Sequence, residues 1–540
     1  MQPCLKAPQR GLRSAAFLAV GLLATTLAAP AAAHEMSPLP EAQWTRDKAA
    51  HLLRRAGFGG TAAEIDATFA LGVEKAVSSL VDFESTEYTP APPAMSPEVA
   101  EPIDRREMRS KDEEERQKAR MERNKLERQA LIEMRLWWLE RMVESPRPLE
   151  EKMTLFWHGH FTSGAREVQR SWFLWEQNQM FRNKGFGSFR ELVLSVSRDR
   201  AMLVYLDNVR NHARSPNENY ARELLELFTL GTGNYTEADI RAAARAFTGW
   251  SFNESGYLFR ERDHDPGPKK FLSRSGNFGG EDVIDIILEQ PACSEFLARA
   301  LLEFFLTPDP PKPLVRRFAA EIRKNRFAIK PTLRTLFSSE AFYDPAYRGA
   351  LIKGPFELIV STARQLGVRV NDLIGASRLA SEMGQELFQP PNVKGWDGGE
   401  KWVNTATLFT RYNTVGGLIF GDENRRGRFL QRMLNDEESN EEGAMSMGGV
   451  SAKARTRVNP QPTLNVRDWL ADPELATAER IVGHFADNLL AVPLPSEKRA
   501  LLVSYLEGES GRFTPRGKEA EQRLRTMLHL LCSTPEFQLY

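Results

Sequence analysis

The chain has 540 residues, of which 41% are hydrophobic and 27% are charged, as in ordinary globular proteins. The 72 lysines and arginines balance the 72 aspartates and glutamates, so the formal net charge is zero. This balance gives no electrostatic argument for nucleic acid or an anionic membrane as the partner, and we expect no nucleic-acid binding.

The N-terminus has the features of a cleavable secretory signal. Three basic residues precede an apolar run over residues 15–29, and a Pro-Ala-Ala-Ala sequence follows it. We predict that residues 1–33 are a signal peptide and that the protein is exported to the periplasm or to the extracellular medium. No later stretch has the roughly 18 uninterrupted apolar residues of a membrane-spanning helix, so we expect no transmembrane segment after signal cleavage.

Helix signals punctuate the rest of the chain and strand signals are sparse, so we predict an all-α fold. The main helical body is predicted to span residues 34–430 and to include a long charged helix at 103–143. The first half of that helix has almost no apolar face, which favours a solvated projecting helix over coiled-coil pairing, while its second half should dock on the core. Residues 431–465 lack periodicity and are predicted to be a disordered acidic and Gly/Ser-rich insertion. Residues 466–540 are predicted to be a C-terminal helical section that packs on the body.

Two cysteines, Cys293 and Cys532, remain after signal cleavage. They are too few for a disulfide framework, and they include no C-x-x-C pair. A single bridge between them is left open at this stage.

The first polar motif is EKMTLFWHGHFTSG, in which His158 and His160 flank a glycine. On extended backbone this spacing points both imidazoles the same way, as in many metal sites, whereas on a helix it separates them. We predict His158 and His160 as candidate ligands of a divalent metal. Two core or capping histidines are the alternative.

The second motif, SPNENYARELLELFTLG, indicates a helix with marked ends. Ser215 is the predicted N-cap, Pro216 occupies the first helical position and Glu218 completes a capping box. Gly231 is the predicted stop. The helix should therefore run from about Pro216 to the residue before Gly231.

This helix carries polar residues at the i, i+3, i+4, i+7 spacing that helices normally reserve for apolar residues: Asn219, Arg222, Glu223 and Glu226. We predict that Glu223 and Glu226 are catalytic carboxylates. Asn219 and Arg222 are predicted to bind a polar ligand, together with Asn217 and Glu218 just before them. An ion-pair network that joins helices is the alternative.

The third motif is FRERDHDPGPKKFL, with His264 and Asp265 adjacent in a Pro/Gly loop. A His-Asp pair in a loop is typical of acid–base catalysis or metal binding, so we predict His264 and Asp265 as catalytic groups. The alternative is that they cap a neighbouring helix.

The fourth motif is FQPPNVKGWDGGEKWVNTATLFTRYN, a glycine-rich loop that presents two tryptophans. Trp396 and Trp402 are predicted to stack on a ligand such as a sugar ring, although tryptophans more often fill a core. Asn404 is predicted to contact the same ligand, and either Asn404 or Thr405 should cap the helix that follows.

Six segments give the chain its resemblance to a known family: HLLRRAGFGGT, EKMTLFWHGHFTSG, YLDNVRNHARSPNENYARELLELFTLGTGNYTEADIRAAARAFTGW, HDPGPKKFL, QPPNVKGWDGGEKWVNTATLFTRYN and STPEFQLY. In this order they resemble the DUF1800 family of exported bacterial proteins, from about residue 45 to the C-terminus. The resemblance implies a mainly helical exported protein and implies no particular reaction. It also implies a protein of the DUF1501 family as a partner, because genes of the two families lie side by side.

Two functions remain open. The first is an envelope enzyme that acts on a glycan or another polar polymer, and the second is a non-catalytic scaffold in which the polar motifs form a buried ionic network. We predict that the Asn219–Glu226 stripe faces a polar internal pocket, where its two carboxylates need cationic neighbours. Histidine neighbours, namely His158, His160 or His264, would favour the enzyme. Arginine neighbours, namely Arg241 or Arg245, would favour the scaffold.

Overall fold

The computed structural model describes residues 36–102, 105–421 and 464–540. Within these ranges the chain forms twenty-three α-helices and two short β-hairpins, which confirms the predicted all-α class. The predicted signal peptide, residues 1–33, lies outside the described residues. So does the predicted insertion at 431–465, except for its last two residues. No helix of the described ranges is long and apolar enough to cross a membrane.

Sixteen of the helices precede residue 340: α1 (Arg46–Ala56), α2 (Ala62–Ala70), α3 (Val73–Val81), α4 (Arg105–Ser110), α5 (Glu113–Glu144), α6 (Pro148–His160), α7 (Ala165–Val168), α8 (Ser171–Lys184), α9 (Phe189–Arg198), α10 (Arg200–Tyr205), α11 (Asn219–Glu223), α12 (Glu237–Ala246), α13 (Gly280–Leu288), α14 (Pro291–Phe305), α15 (Lys312–Lys324) and α16 (Ile329–Ser338). Seven follow: α17 (Pro355–Leu366), α18 (Leu373–Glu382), α19 (Thr405–Phe420), α20 (Val466–Ala471), α21 (Ala478–Leu489), α22 (Ser496–Glu507) and α23 (Gly517–Cys532). Short connections join many of the helices, and longer ones follow α3, α12 and α18.

The two hairpins lie between α12 and α13. Strands β1 (Trp250–Asn253) and β2 (Gly256–Phe259) pair antiparallel, as do β3 (Lys269–Phe271) and β4 (Arg274–Gly276). Each hairpin is a two-stranded ribbon, so the sheets contribute little to the fold and the helices build the core.

Apolar helix faces pack into two hydrophobic clusters. The first is built mainly on α1 to α3 and α9 to α16, and the second mainly on α5, α17 to α19 and the C-terminal helices α20 to α23. Cys293 is buried in the first cluster and Cys532 in the second. Both thiols are free, so the disulfide left open above does not form.

Helix α6 runs between the two clusters. All ten of its side chains from Leu149 to His158 are buried, with Trp157 in the first cluster and Leu155 in the second. A helix that is buried all round has no solvent face on which to place charges. The charged residues of α6 must therefore find partners inside the protein.

Glu151 of α6 is the centre of a buried ionic network. Its carboxylate accepts hydrogen bonds from Trp138 Nε1 at 3.0 Å and from the Nε and Nη2 atoms of Arg182, both at 2.9 Å. It also pairs with Arg141, whose Nη2 bonds Glu150 at 2.7 Å. Burial alone would raise the pKa of Glu151, but Arg182 and Arg141 more than offset it and lower that pKa. The network ties α5, α6 and α8 together.

The charged helix begins later than the sequence indicates. The helix is interrupted between α4 and α5, and the longer helix starts at Glu113 instead of residue 103. Asp112 caps it through a capping box, in which Glu115 N donates to Asp112 Oδ1 at 2.8 Å. This local box explains the new start, since it satisfies backbone donors that a continuous helix would bond internally. The second half of α5 buries Met134 and Trp138.

The helix of the second motif also begins later than predicted. Ser215 N bonds His212 O at 2.9 Å, and Asn217 N donates to Asn211 Oδ1 at 2.9 Å, so residues 211–217 form a closed loop. These loop bonds prevail over the local capping box, and α11 starts at Asn219. The predicted end is confirmed, because Gly231 takes a left-handed φ of +77°.

Candidate functional site

The carboxylate stripe lies where the helix changes type. Helix α11 ends at Glu223 and continues as a π-helical segment, Leu224–Thr229, which carries Glu226. Its wider turn is visible in the bond from Leu230 N to Leu225 O at 3.0 Å. Short π-helical segments occur frequently at functional sites, because they displace side chains from regular helical positions.

The stripe lies at the surface and not in an internal pocket, which corrects the sequence-based expectation. Asn219 is exposed, and the Arg222 side chain is 35% exposed. Glu223 and Glu226 are half-buried. The apolar side chains of the same helix, such as Leu224, pack inward, so a polar edge remains for the stripe.

Arg222 forms its ion pairs with Glu218 and Glu237, and not with Glu223 or Glu226. Its Nη1 and Nη2 atoms donate to Glu237 at 2.9 Å each, and Nη2 also bonds Glu218 at 3.1 Å. Within the described residues, neither Glu223 nor Glu226 forms an ion pair with a lysine, arginine or histidine. The predicted cationic neighbours, histidine or arginine, are therefore not found among these residues.

The remaining neighbours set the electrostatics of the pair. Burial raises the pKa of Glu223 and the carboxylate of Glu226 raises it further, while Arg222 and Lys394 act in the opposite direction. Glu226 accepts a hydrogen bond from Tyr235 Oη at 3.0 Å. The pair is thus arranged to hold one proton on Glu223 more readily than on an isolated glutamate.

Tyr205, at the end of α10, is a neighbour of Glu223 that sequence reasoning missed. Burial raises its pKa, the carboxylates of Glu167 and Glu223 raise it further, and a hydrogen bond with Thr162 lowers it. Its phenol therefore lies in the same electrostatic neighbourhood as Glu223. A polar ring at the end of an apolar helix, followed by Asp207, was the available signal in the sequence.

The glycine-rich loop of the fourth motif packs against the end of α6. Gly395 has a φ of +90°, and a Cβ there would lie 2.4 Å from Gly159 O, so only glycine allows this approach. Thr162 Oγ1 fastens the loop through a 2.6 Å bond to Val393 O. The contact positions Lys394 near Glu223 and half-buries Trp396, whose Nε1 is buried without a hydrogen-bond partner among the described residues.

The two histidines of the first motif lie at the end of helix α6, where a two-residue spacing separates them. His158 Nε2 bonds Asn178 Nδ2 at 3.1 Å, whereas His160 Nε2 bonds Phe228 O at 2.9 Å. Burial lowers the pKa of His158 to about 3 and that of His160 to about 4, so both are neutral at pH 7. The expectation of a shared metal ion is not met by this placement.

No group of three or more His, Cys, Asp or Glu side chains in the described ranges is arranged to hold a metal ion. His264 and Asp265 lie in a loop held by other contacts. His264 Nδ1 bonds Thr248 O at 3.0 Å, and Asp265 Oδ2 bonds Arg245 Nε at 2.6 Å. Arg245, one of the two arginines considered for the stripe, therefore fixes this loop, and the catalytic role of His264 and Asp265 stays a prediction.

The other predicted ligand-binding residues have structural contacts. Asn217 donates through Nδ2 to Asp207 O at 3.2 Å, and Asn404 caps α19 by accepting from Ala406 N at 3.0 Å. Trp402 is buried and would contact a Cβ at Gly354 or Gly384, so it fills the core. The structure thus brings Glu223 near Lys394, which lies in the same loop as Trp396, and it gives Trp402 and Asn404 structural contacts.

The fold and the site define a mainly α-helical protein with a half-buried carboxylate pair beside an aromatic loop. The chain matches the family described as "Protein of unknown function (DUF1800)" over residues 51–539, and it belongs to that family. No curated protein and no solved structure matches the chain.

Proposed function

We propose that this DUF1800 protein is a hydrolytic enzyme of the cell envelope that acts on a glycan or a similar polar polymer at Glu223 and Glu226. One observation carries the proposal: two half-buried carboxylates lie on one helix edge without an ion-pair partner among the described residues. A structural ion-pair network would instead pair such carboxylates directly with cationic side chains. Neighbouring carboxylates of which one has a raised pKa are typical of acid–base sites.

The two carboxylates have different environments and therefore different roles. Glu223, whose pKa is raised by burial and by Glu226, is the general acid that donates a proton to the leaving group. Glu226, which accepts a hydrogen bond from the Tyr235 hydroxyl, is either the base that activates water or the nucleophile that attacks the reacting carbon.

The surroundings of the pair favour a polyhydroxylated substrate. Trp396 offers a half-buried indole on which the apolar face of a sugar ring could pack. Asn219 and Arg222 line the exposed side with an amide and a guanidinium, both of which bond hydroxyl groups. We propose these three residues as the ligand-binding groups.

The test is a reaction with defined polymers. Purified protein is incubated with peptidoglycan and with a panel of neutral and acidic polysaccharides, and new reducing ends are measured. Release of reducing ends from one class of polymer, absent with heat-unfolded protein, would support the proposal. A lack of both release and binding over the whole panel would contradict it.

Export to the periplasm or the medium is also a proposal, and it rests on the signal-like first 33 residues. N-terminal sequencing of protein from the periplasmic fraction should give a start near His34. Recovery only from the cytoplasm with an intact N-terminus would contradict it.

A scaffold that binds a DUF1501-family protein is the second candidate function. It is favoured by three exposed apolar side chains on one helix, α19, namely Leu408, Phe409 and Tyr412. The change Phe409→Asp should abolish co-purification with such a protein, whereas Lys518→Asp on the exposed side of α23 should not. Equal co-purification of both variants would contradict this interface.

A further inference from the structure

A second group of charged side chains lies in the interior, where α1, α6, α17 and α19 meet the C-terminal turn Pro535–Gln538. We call it the basic cluster: Arg55, Lys152, Lys353 and Arg411. Each of these four side chains is at most 1% exposed. They come from four distant parts of the sequence, so only the fold brings them together.

Among the described residues, Lys152 is the one member of the cluster that forms an ion pair. Its Nζ pairs with Glu357, one turn into α17, and the pair is enclosed by aromatic rings. Lys152 Nζ lies 4.8 Å from the ring centroid of Phe58 and 4.8 Å from that of Tyr540. Glu357 thus forms its ion pair with Lys152, and its single negative charge is shared with Arg55 and Lys353.

Arg411 and Lys353 are held side by side through the backbone. Arg411 Nη2 donates to Lys353 O at 2.7 Å, and Arg411 Nε donates to Gln538 Oε1 at 2.6 Å. Lys353 N bonds Gln538 O at 2.8 Å, and its Nζ lies 3.5 Å from the ring centroid of Phe537. Arg55 reaches the same region, where its guanidinium lies 5.0 Å from the Tyr540 ring.

Several donors of the cluster have no acceptor. Within the described part of the chain, Arg55 Nε and Nη1, Lys353 Nζ and Arg411 Nη1 are all buried without a hydrogen-bond partner. Glu357 Oε1 is also buried without a partner among these residues, but one oxygen cannot accept from all four donors. Buried polar atoms in folded proteins are almost always bonded, so the four donors call for an additional acceptor.

The basic cluster also has more positive than negative charge. Burial lowers the pKa of Arg411 to about 10 with no carboxylate to offset it, and it lowers the pKa of Lys353 to about 7. The carboxylate of Glu357 is the acidic side chain that acts on Arg55, Lys152 and Lys353 together. Water would satisfy the donors but would not supply negative charge.

We propose that the basic cluster binds a small oxyanion, such as inorganic phosphate or sulfate, between Arg55, Lys353 and Arg411. An oxyanion supplies both missing elements, negative charge and several acceptor oxygens, and guanidinium groups suit its geometry. The site is independent of the proposed hydrolysis at Glu223 and Glu226. It would stabilise the contact between α1, α17, α19 and the C-terminal turn.

The first test measures the anion content of the protein. Protein purified in HEPES buffer without phosphate or sulfate is denatured in acid, and the released anions are quantified by ion chromatography. In parallel, protein that has been unfolded and refolded in the same buffer is titrated with phosphate, sulfate and chloride at equal ionic strength. Anion binding in these titrations is measured by the rise in the thermal unfolding temperature and by calorimetry.

We expect either about one oxyanion released per chain, or saturable binding of phosphate or sulfate after refolding. In Lys353→Met and Arg411→Met this oxyanion should be lost or bind at least tenfold more weakly, while Lys518→Met, at an exposed lysine, should behave as the wild type. If a cluster variant fails to fold, the wild-type anion content and titration alone decide. No released oxyanion together with no binding, an effect of chloride equal to that of phosphate, or unchanged binding in both folded cluster variants would overturn the proposal.

Discussion

The α-helix that carries Glu223 ends at that residue, and Glu226 lies in the π-helical turn that continues it. The two carboxylates therefore share one edge of the same element while their backbones follow different helical geometries. This relationship keeps two like charges close enough for Glu226 to raise the pKa of Glu223. It is the physical basis of the acid and base roles proposed for the pair.

Lys394 should influence the pKa of Glu223, the proposed general acid. Because Lys394 lowers the pKa of Glu223, the change Lys394→Met should raise that pKa. The acid form is lost as pH rises through the pKa, so the alkaline limb of the activity profile should move to higher pH. Lys394 is exposed, and we expect a shift of a few tenths of a pH unit, about the size of surface charge effects.

The measurement for Lys394 is the pH dependence of kcat/KM at low ionic strength, with Lys518→Met as the matched control. High salt should remove the difference between Lys394→Met and the wild type, since salt screens exposed charges. An alkaline limb that stays in place, or one that moves to lower pH, would be incompatible with Glu223 as the acid.

The two tryptophans of the glycine-rich loop should behave differently. Trp402→Ala removes a buried side chain from the core and should lower the free energy of unfolding by about 3–5 kcal/mol. Trp396→Ala should leave most of the stability intact and weaken substrate binding, seen as a raised KM. Urea unfolding and steady-state kinetics of both variants make the comparison. Equal destabilisation with an unchanged KM for Trp396→Ala would remove its proposed binding role.

His158 should make the protein sensitive to acid. Its pKa is about 3 in the folded protein, against 6.5 for an ordinary histidine, so the unfolded chain takes up a proton first as pH falls. The histidine's contribution is complete above pH 6.5 and is lost as pH falls from there towards 3, by up to about 1.4 kcal/mol per pH unit.

Urea unfolding between pH 7.5 and 5 tests this prediction. His158→Gln should show a flatter decline of the free energy of unfolding with acidification than the wild type, whatever its stability at pH 7.5. His212→Gln, at a half-exposed loop histidine, is the control. A decline in His158→Gln as steep as in the wild type would show that His158 is not buried in its neutral form.

The buried network around Glu151 should be important for stability. Glu151→Gln removes the negative charge between Arg141 and Arg182, so that buried Arg182 loses its carboxylate and Arg141 keeps Glu150 alone. We expect a loss of about 3–5 kcal/mol in the free energy of unfolding. Glu113→Gln, at the exposed start of α5, should cost no more than about 1 kcal/mol. Equal losses in thermal or urea unfolding would contradict the network's role.

The helical class follows from local signals, and the errors in helix starts arise where other nearby hydrogen bonds engage the same backbone atoms. Gly231 ends its helix as predicted, and Asn404 caps α19 as one of the two residues considered. Ser215 does not act as the cap, because the loop at 211–217 closes through His212 and Asn211. A capping pattern is local, and it cannot show that the same backbone atoms are engaged by a closed loop.

The site was only partly predictable for a similar reason. Helical periodicity identified Glu223 and Glu226, but the same spacing fits a buried stripe and a surface edge equally well. The π-helical turn has no sequence signature, and Tyr205 and Lys394 come from distant segments. The basic cluster was not predictable from the sequence, because residues such as Arg55 lie in apolar helical runs, where a long basic side chain usually reaches solvent.

The catalytic role of Glu223 and Glu226 is tested most directly by the hydrolysis of the polymer that the panel identifies. The variants Glu223→Gln and Glu226→Gln are compared with Glu254→Gln, in the exposed turn of the first hairpin. Both site variants should fold like the wild type and lose at least about 100-fold in kcat, as expected when a general acid or base is removed. Glu254→Gln should keep full activity. Undiminished kcat in folded Glu223→Gln and Glu226→Gln would contradict the claim that this pair is the catalytic centre.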